Sequence, residues 1–507
     1  MSTVLMKNQA YDLDRLALKT NGISGQKLMG EAGKKIADFI NNNFSDIKSI
    51  SIVVGKGNNG GDGFAAAVYL NKCGFSIAVF SIYSAQYFSN ETSYYYKECL
   101  KENISVIFDS DPPSVYDFNS LAIDSMLGIG FKGELYDNLK NWATWINRFS
   151  VVISCDIPTG VCSDSGTVCT KAVSADYTIA MGYPKIGSLL EPGKSYSGTI
   201  RSVDIGFPNK INELNGQKWN VITDDLIRNI LQPLKKNTHK YKQGKVLILA
   251  GSEGMTGAAY LATMGALRSG CGLTKTFAPK SLNIVYERKI TEGMTVSCED
   301  RGSGFFTNDN YNQIMDNIDW ADSVLIGPGL GRNKDTVRLL HNLYVEIDKP
   351  MVVDADGFSP FYNDFSLLKK IKNDFVFTPH IGELSKLFEI DAEEFKIDMI
   401  NIFEKMTTNM PGVLVAKNDS TIISDGINGY INSTGNPGLA TAGTGDVLSG
   451  VIASLISQGY NSLESSIVST FIHGLAADNQ SNNISQRGLI ASDLLIEIGK
   501  ILSGYEL

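Results

Sequence analysis

Short apolar runs alternate with amphipathic stretches along this chain, and that rhythm restricts it to α/β architecture with largely parallel sheets. In the first half, Ile50–Val54, Ile77–Ile82, Ser105–Phe108, Leu121–Asp124, Val151–Ser154 and Tyr177–Ala180 read as strands. Helical patterns at Phe64–Lys72, Ser93–Glu102 and Leu135–Phe149 lie between them. A polar, Asn-rich and weakly periodic segment, Phe207–Trp219, interrupts the alternation. At 507 residues the chain exceeds what one core supports, so this interruption predicts domains over 1–212 and 222–507. Beyond it, strands are expected at Lys245–Ala250, Ser323–Ile326, Met351–Val353, Asp374–Phe377, Gly412–Ala416 and Thr421–Ser424. The last of these forms a hairpin with Tyr430–Asn432 across Asp425-Gly426. Ligands of open α/β sheets gather at the carboxyl ends of strands, so the loops leaving these runs are where chemistry is sought.

Composition narrows the partners. Net charge is −9, with no basic block or acidic tail, so nucleic acid is not an expected ligand. The seven cysteines are scattered without a CxxC pair, which fits a reduced compartment rather than a disulfide framework or zinc ribbon. No apolar run reaches membrane-spanning length and the first residues lack an apolar targeting core, so a cytoplasmic protein without membrane contact is expected. A homo-oligomer is the expected state.

One string in the second half carries the clearest chemistry. Asn436-Pro-Gly-Leu-Ala-Thr-Ala-Gly-Thr-Gly-Asp446 runs into an apolar, helix-periodic stretch. Gly443, Thr444 and Gly445 therefore sit where a helix start leaves its amides unpaired, a ready anion site. Asp446 is the only ionisable side chain there. A carboxylate beside a phosphate-binding helix start can take a proton from a hydroxyl as that hydroxyl attacks a phosphoryl group. A plain N-cap is the simpler reading of such a string, but the small residues upstream leave more room than a cap needs.

The first half carries a second constellation. After Ile50–Val54 comes Gly55-Lys-Gly-Asn-Asn-Gly-Gly-Asp-Gly63. Gly55, Gly57 and Gly60 fit a dinucleotide turn, although no acidic residue ends the next strand to hold a ribose. Asn58, Asn59 and Asp62 exceed the needs of a tight turn and suit a phosphate-bearing ligand with a hard cation. Two further strands end in Asp124 and Asp156, and Asp124 leads into a glycine-rich loop carrying Lys132. Paired strand-end carboxylates suit one cation ligand and one acid or base, with Lys132 as phosphate partner or proton shuttle.

These residues carry a resemblance. Val53–Gly63, Asp124 with Gly128-Ile-Gly-Phe-Lys-Gly133, Asp156-Ile-Pro-Thr-Gly160 and Asp204-Ile-Gly-Phe-Pro208 resemble the NAD(P)H-hydrate epimerases over about residues 1–210. The resemblance implies a Rossmann-like three-layer sandwich. It further implies that Asn58, Asn59, Gly60, Gly61, Asp62, Gly128, Ile129, Gly130, Phe131, Lys132, Gly133, Glu134 and Asp156 contact hydrated cofactor. Asn59, Asp124 and Thr159 would hold a potassium ion, with Thr159 standing where the family often has Ser.

Residues 225–505 resemble the ADP/ATP-dependent NAD(P)H-hydrate dehydratases, which are ribokinase-like α/β domains. The motifs are Lys245–Ser252, Thr256–Ala259, Ala266–Gly272, Ile326–Gly331, Asp354-Ala-Asp356, Thr378–Glu383 and Asn436–Asp446. By that resemblance Ala258, Gly329, His380 and Asp446 contact substrate. Lys417, Asn418, Asp419, Ser420, Thr421 and Gly445 contact nucleotide, although Asp419 adds negative charge beside expected phosphates. Glu383 reads instead as a cap of the following helix. Both halves together resemble the fused repair enzymes of this family, with hydrated NADH and NADPH as substrates, ADP (or ATP) as phosphoryl donor, and magnesium and potassium as cofactors. Asp446 and Asp124 with Lys132 are then the expected catalytic residues. A ribokinase-like vitamin or sugar kinase with a regulatory N-terminal domain is the rival reading, and it leaves the upstream cation-and-Asp cleft unexplained.

Overall fold

The computed structural model describes residues 3–19, 23–114, 116–408 and 410–506. Its chain divides into two compact units, Met1–Trp219 and Asn220–Leu507.

The first unit is built on a seven-stranded sheet. Its strands lie in the order Ser105–Phe108, Ser76–Ser81, Ser49–Val54, Leu121–Ser125, Val151–Cys155, Tyr177–Met181 and Thr199–Val203. All neighbours are parallel. Buried residues of alternate parity feed two separate cores. Ile50, Ile52 and Val54 join one with Phe64 and Ala66, while Val53 joins the other with Trp142 and Trp145. This is the pattern of a sheet covered on both faces. The strand order reverses between Ser49–Val54 and Leu121–Ser125, so their departing loops flank a switch point where ligands bind.

One helix boundary departs from expectation and matters for function. The helix after the first central strand starts at Asn58 and runs to Lys72, not from Phe64. The Asn-Asn-Gly-Gly-Asp residues are therefore its opening turns, with Gly57 as N-cap. Three interior glycines disfavour a helix by propensity. Packing requires them: a Cβ on Gly60 would lie 2.0 Å from the Gly55 carbonyl oxygen, and one on Gly61 2.4 Å from Met29.

In the second unit the strands run Met294–Cys298, Leu273–Pro279, Lys245–Leu249, Ser323–Ile326, Met351–Val353, Phe375–Phe377 and Val413–Ala416, all parallel. Ile422–Ser424 and Asn428–Ile431 extend this sheet as an antiparallel hairpin, with Asp425 accepting from the amides of Ile427 and Asn428 in the turn. Helices Thr256–Arg268, Thr444–Ser457, Ser462–Ser481 and Ala491–Ser503 contribute to a single core with alternate strand residues such as Val246, Ile248 and Val352. Two glycines bring the first two helices together. A Cβ on Gly450 would meet the Ala262 carbonyl at 2.1 Å, and one on Gly265 the Val447 carbonyl at 2.6 Å. Among the described residues no helix is long and apolar enough to cross a membrane.

Candidate functional site

In the first unit the switch point opens into a cavity of about 570 Å³. Asn58, Asn59 and Asp62 reach it from the glycine-rich helix start, and Gly128, Ile129, Gly130 and Phe131 from the loop after Leu121–Ser125. Asp156 lines it as well. Its backbone is left-handed (φ 65°), its carboxylate accepts from the Met181 amide at 3.0 Å, and it is ion-paired with buried Lys185. Lys185 also donates to the Tyr183 carbonyl at 3.0 Å.

Asp124 is placed differently. Its fully buried carboxylate accepts from Thr159 N–H at 2.8 Å, Thr159 Oγ1 at 2.7 Å, Ser154 Oγ at 3.0 Å and Met126 N–H at 3.3 Å. Burial pushes its pKa up and these donors pull it back. Asn59 donates to the Leu127 carbonyl at 2.9 Å, while its own buried Oδ1 has no partner. The Thr159 hydroxyl accepts from Leu127 N–H at 3.0 Å. Asp124, Thr159 and the Leu127 backbone thus form one hydrogen-bonded knot, tied to Asn59 through Leu127.

Lys132 does not join Asp124. It is exposed, as are Gly133 and Glu134, and none of the three lines the cavity. The lysine that folding delivers to the carboxylates is Lys185, because the Tyr177–Met181 strand carries its loop alongside Asp156. The expected partnership of Asp124 with Lys132 is therefore corrected. Asp124 is enclosed by donors, and Lys132 faces solvent. Gly60 and Gly61 are buried packing positions behind the cavity wall rather than on it.

In the second unit, Asp354, His380 and Lys417 leave three adjacent strands at their carboxyl ends. Lys417 pairs with the buried Asp354 carboxylate at 2.7 Å. A Cβ on Gly445 would lie 3.1 Å from Lys417 Nζ and 3.8 Å from Asp354 Oδ2, so the ion pair sits against the first turn of helix Thr444–Ser457. Gly443 caps that turn in left-handed backbone (φ 91°), a conformation that glycine adopts without strain. Asp446 follows in the same turn. Burial pushes its pKa up to about 7, with the Asp354 charge adding to the rise and Lys417 opposing it.

His380 serves as the N-cap of Ile381–Phe388, its Nδ1 accepting from Gly382 and Glu383 amides at 3.0 and 3.3 Å. Glu383 completes the capping box by accepting from His380 N–H at 3.0 Å, the cap role its sequence position suggested. Ala258 and Gly329 meet at the other switch point, where a Cβ on Gly329 would lie 2.9 Å from that of Ala258. Of the expected nucleotide loop, Lys417 and Gly445 come together. Thr421 Oγ1 turns back to the Asn418 carbonyl at 3.3 Å, Ser420 is buried, and Asp419 is exposed within electrostatic reach of Lys396.

Known proteins match along both units. Residues 246–500 match the family model described as NAD(P)H-hydrate dehydratase, and 25–187 that of the YjeF-related protein N-terminus. The bifunctional NAD(P)H-hydrate repair enzyme Nnr of Moorella thermoacetica is 32% identical over 506 residues, covering 97% of this chain and 95% of that one. Its counterpart in Dictyoglomus turgidum is 34% identical, covering 92% of each. The chain belongs to the bifunctional NAD(P)H-hydrate repair family. A ribokinase-like superfamily protein from Enterococcus faecalis V583 shares the fold of the second half, with a TM-score of 0.50 and 21% identity over 57% of this chain and 96% of that one.

Members of the repair family join epimerisation of hydrated NAD(P)H to its nucleotide-dependent dehydration, and the dehydratase model falls within the second unit. Three features of the repair-enzyme sites escape sequence reasoning. Asp14 and Lys185 reach the first cavity from helix Lys7–Lys19 and from a loop distant in sequence, and no local motif marks either. The pairing of Lys417 with Asp354 spans 63 residues and appears only once the strands are ordered.

Proposed function

We propose that the second unit phosphorylates the ring hydroxyl of hydrated NAD(P)H, with Asp446 as the general base. The carrying observation is a single turn of helix where Asp446, first-turn amides and the Lys417–Asp354 pair converge. As the hydroxyl oxygen bonds to the terminal phosphorus of ADP or ATP, its proton passes to Asp446 and the bond to the leaving nucleotide breaks. Amides at the helix start, which have no intrahelical partner, and Lys417 face the developing phosphate charge. Phosphate then departs with the C–O electron pair, the ring nitrogen lone pair assists, and loss of a ring proton restores the double bond. Magnesium would enter with the nucleotide phosphates: among the described residues no three His, Cys, Asp or Glu side chains group as a metal site.

The first unit, on this reading, interconverts the two hydrate epimers in its 570 Å³ cavity, so that the dehydratase receives the one it accepts. Asn59, Thr159 and Asp124 suit a potassium ion. The unpartnered buried Oδ1 of Asn59 supports this directly, since a buried polar atom is costly unless something binds it. A bound monovalent cation would steady ligand oxygens near the loop. Incubating the full chain with both hydrate epimers and ADP or ATP tests the reading. Returning NADH absorbance with stoichiometric free phosphate supports dehydration, whereas accumulation of a stable phosphorylated product indicates a kinase.

A further inference from the structure

The N-terminal helix Lys7–Lys19 buries a stripe of Ala10, Leu13 and Ala17. Asp14 lies four residues after Ala10 and three before Ala17, so helical spacing puts it beside that stripe rather than on the solvent face. It lines the same cavity as Asp62 and Asp156. The three carboxyls are not equivalent. Lys185 neutralises Asp156. Asp14 and Asp62 have no ion pair or hydrogen bond to their carboxyl groups among the described residues. A carboxyl held in a cavity without a partner costs stability, and a fold retains one where chemistry uses it.

We propose that Asp14 and Asp62 are the two proton carriers of epimerisation, an inference that rests on the epimerase reading of this unit. The hydrate's hydroxyl sits on the ring carbon next to nitrogen. Asp14 in its acid form gives a proton to that hydroxyl, the C–O bond breaks with its electron pair leaving in water, and the nitrogen lone pair forms a C=N bond. Water then adds to the other face of that carbon, the C=N pair returns to nitrogen, and the surplus proton passes to the Asp62 carboxylate. The reverse direction exchanges the two roles, so no oxidant, reductant or nucleotide is consumed.

Two carboxyls lining one cavity resist ionising together, and the Asp14 charge adds to the rise of Asp62. Burial, reinforced by the Asp156 charge and opposed by Lys185, pushes Asp14 up to about 6. Asp62 is pushed up by burial in the same direction. Besides these, the ionisable groups on the cavity wall are Tyr11 of the same helix, Lys56, Tyr83 and Glu91.

The test uses the full chain, with epimer interconversion measured without nucleotide against the spontaneous background. Asp14→Asn is expected to lower kcat for interconversion by ~10²–10⁴-fold, the usual worth of a general acid, while KM for the hydrate stays within about threefold. Dehydration by the same protein should be unchanged. Asp14→Glu should recover part of the rate and keep its pH limb, which Asp14→Asn should lose. Interconversion by Asp14→Asn within about threefold of wild type, or a loss confined to KM, overturns the inference. Absence of interconversion in the wild-type chain would instead overturn the epimerase reading itself.

Discussion

At the scale of single residues, the proposed dehydration depends on Asp446 and on how its surroundings set its proton affinity. A base works as its carboxylate, and burial holds that carboxylate's pKa near 7. The deprotonated fraction therefore grows as pH rises through about 7, so kcat/KM for dehydration should climb about tenfold per pH unit below that value and level off above it. Asp446→Asn should cost on the order of 10²–10⁴-fold and flatten the rise, with nucleotide binding little changed. Near-normal turnover in that variant would remove the base assignment. Asn59 supplies a separate check in the other unit. Asn59→Ala deletes the unpartnered Oδ1, so epimerisation should fall and recover partly as potassium is raised. A rate that is indifferent to potassium would take the cation out of this knot.

At the scale of elements, helix Thr444–Ser457 positions Asp446, the proposed base, and its partners are as informative as its own sequence. Buried His473 on the neighbouring helix sits 2.9 Å, through Nε2, from the Thr444 carbonyl, anchoring the turn that carries Asp446. Burial lowers His473 from 6.5 to about 4, so the folded state keeps it neutral. The sign follows: this contribution to stability is complete above about 6.5 and is lost as pH falls through about 4, on the order of 3 kcal/mol. Denaturant melts of His473→Gln should lack that acid limb, and an unchanged limb would assign it to other groups. Close helix packing sets a further expectation. Gly450→Ala places a methyl 2.1 Å from the Ala262 carbonyl and should cost about 1–3 kcal/mol by overpacking, read as a lower unfolding midpoint.

Elements also mark what the sequence could convey. Strand ends at Asp124 and Asp156, the hairpin at Asp425-Gly426 and the Glu383 cap follow from local patterns, because apolar runs, turn residues and capping boxes act over a few residues. The helix start at Asn58 did not follow, since close packing against Gly55 and Met29 overrides glycine's poor helix propensity. Strands Leu273–Pro279 and Met294–Cys298 also escaped, as Thr274, Lys275 and Thr276 in the first and Thr295 and Ser297 in the second break the apolar run that marks a central strand. The side chains meeting across the cavity, Asp14, Lys185 and Asp156, come from three segments whose convergence is a property of the sheet order.

At the scale of the whole molecule, two compact units each carry a candidate site at a switch point or strand end, and the family joins two reactions in one chain. Division of labour has a direct consequence: disabling one site should leave the other working. Gly57→Trp offers a suitable block for the first unit, because Gly57 lines the cavity and a Cβ there meets nothing within 4 Å. Hydrate consumption by that variant with nucleotide should stall near the fraction of the accepted epimer initially present. Asp446→Asn should interconvert the epimers and restore NADH on the order of 10²–10⁴-fold more slowly. The decisive measurement is the extent of NADH recovery when these two full-length variants are mixed with both epimers and nucleotide. Complementation should carry recovery to completion; a mixture that stalls where Gly57→Trp alone stalls would contradict the assignment of two separate activities to the two units.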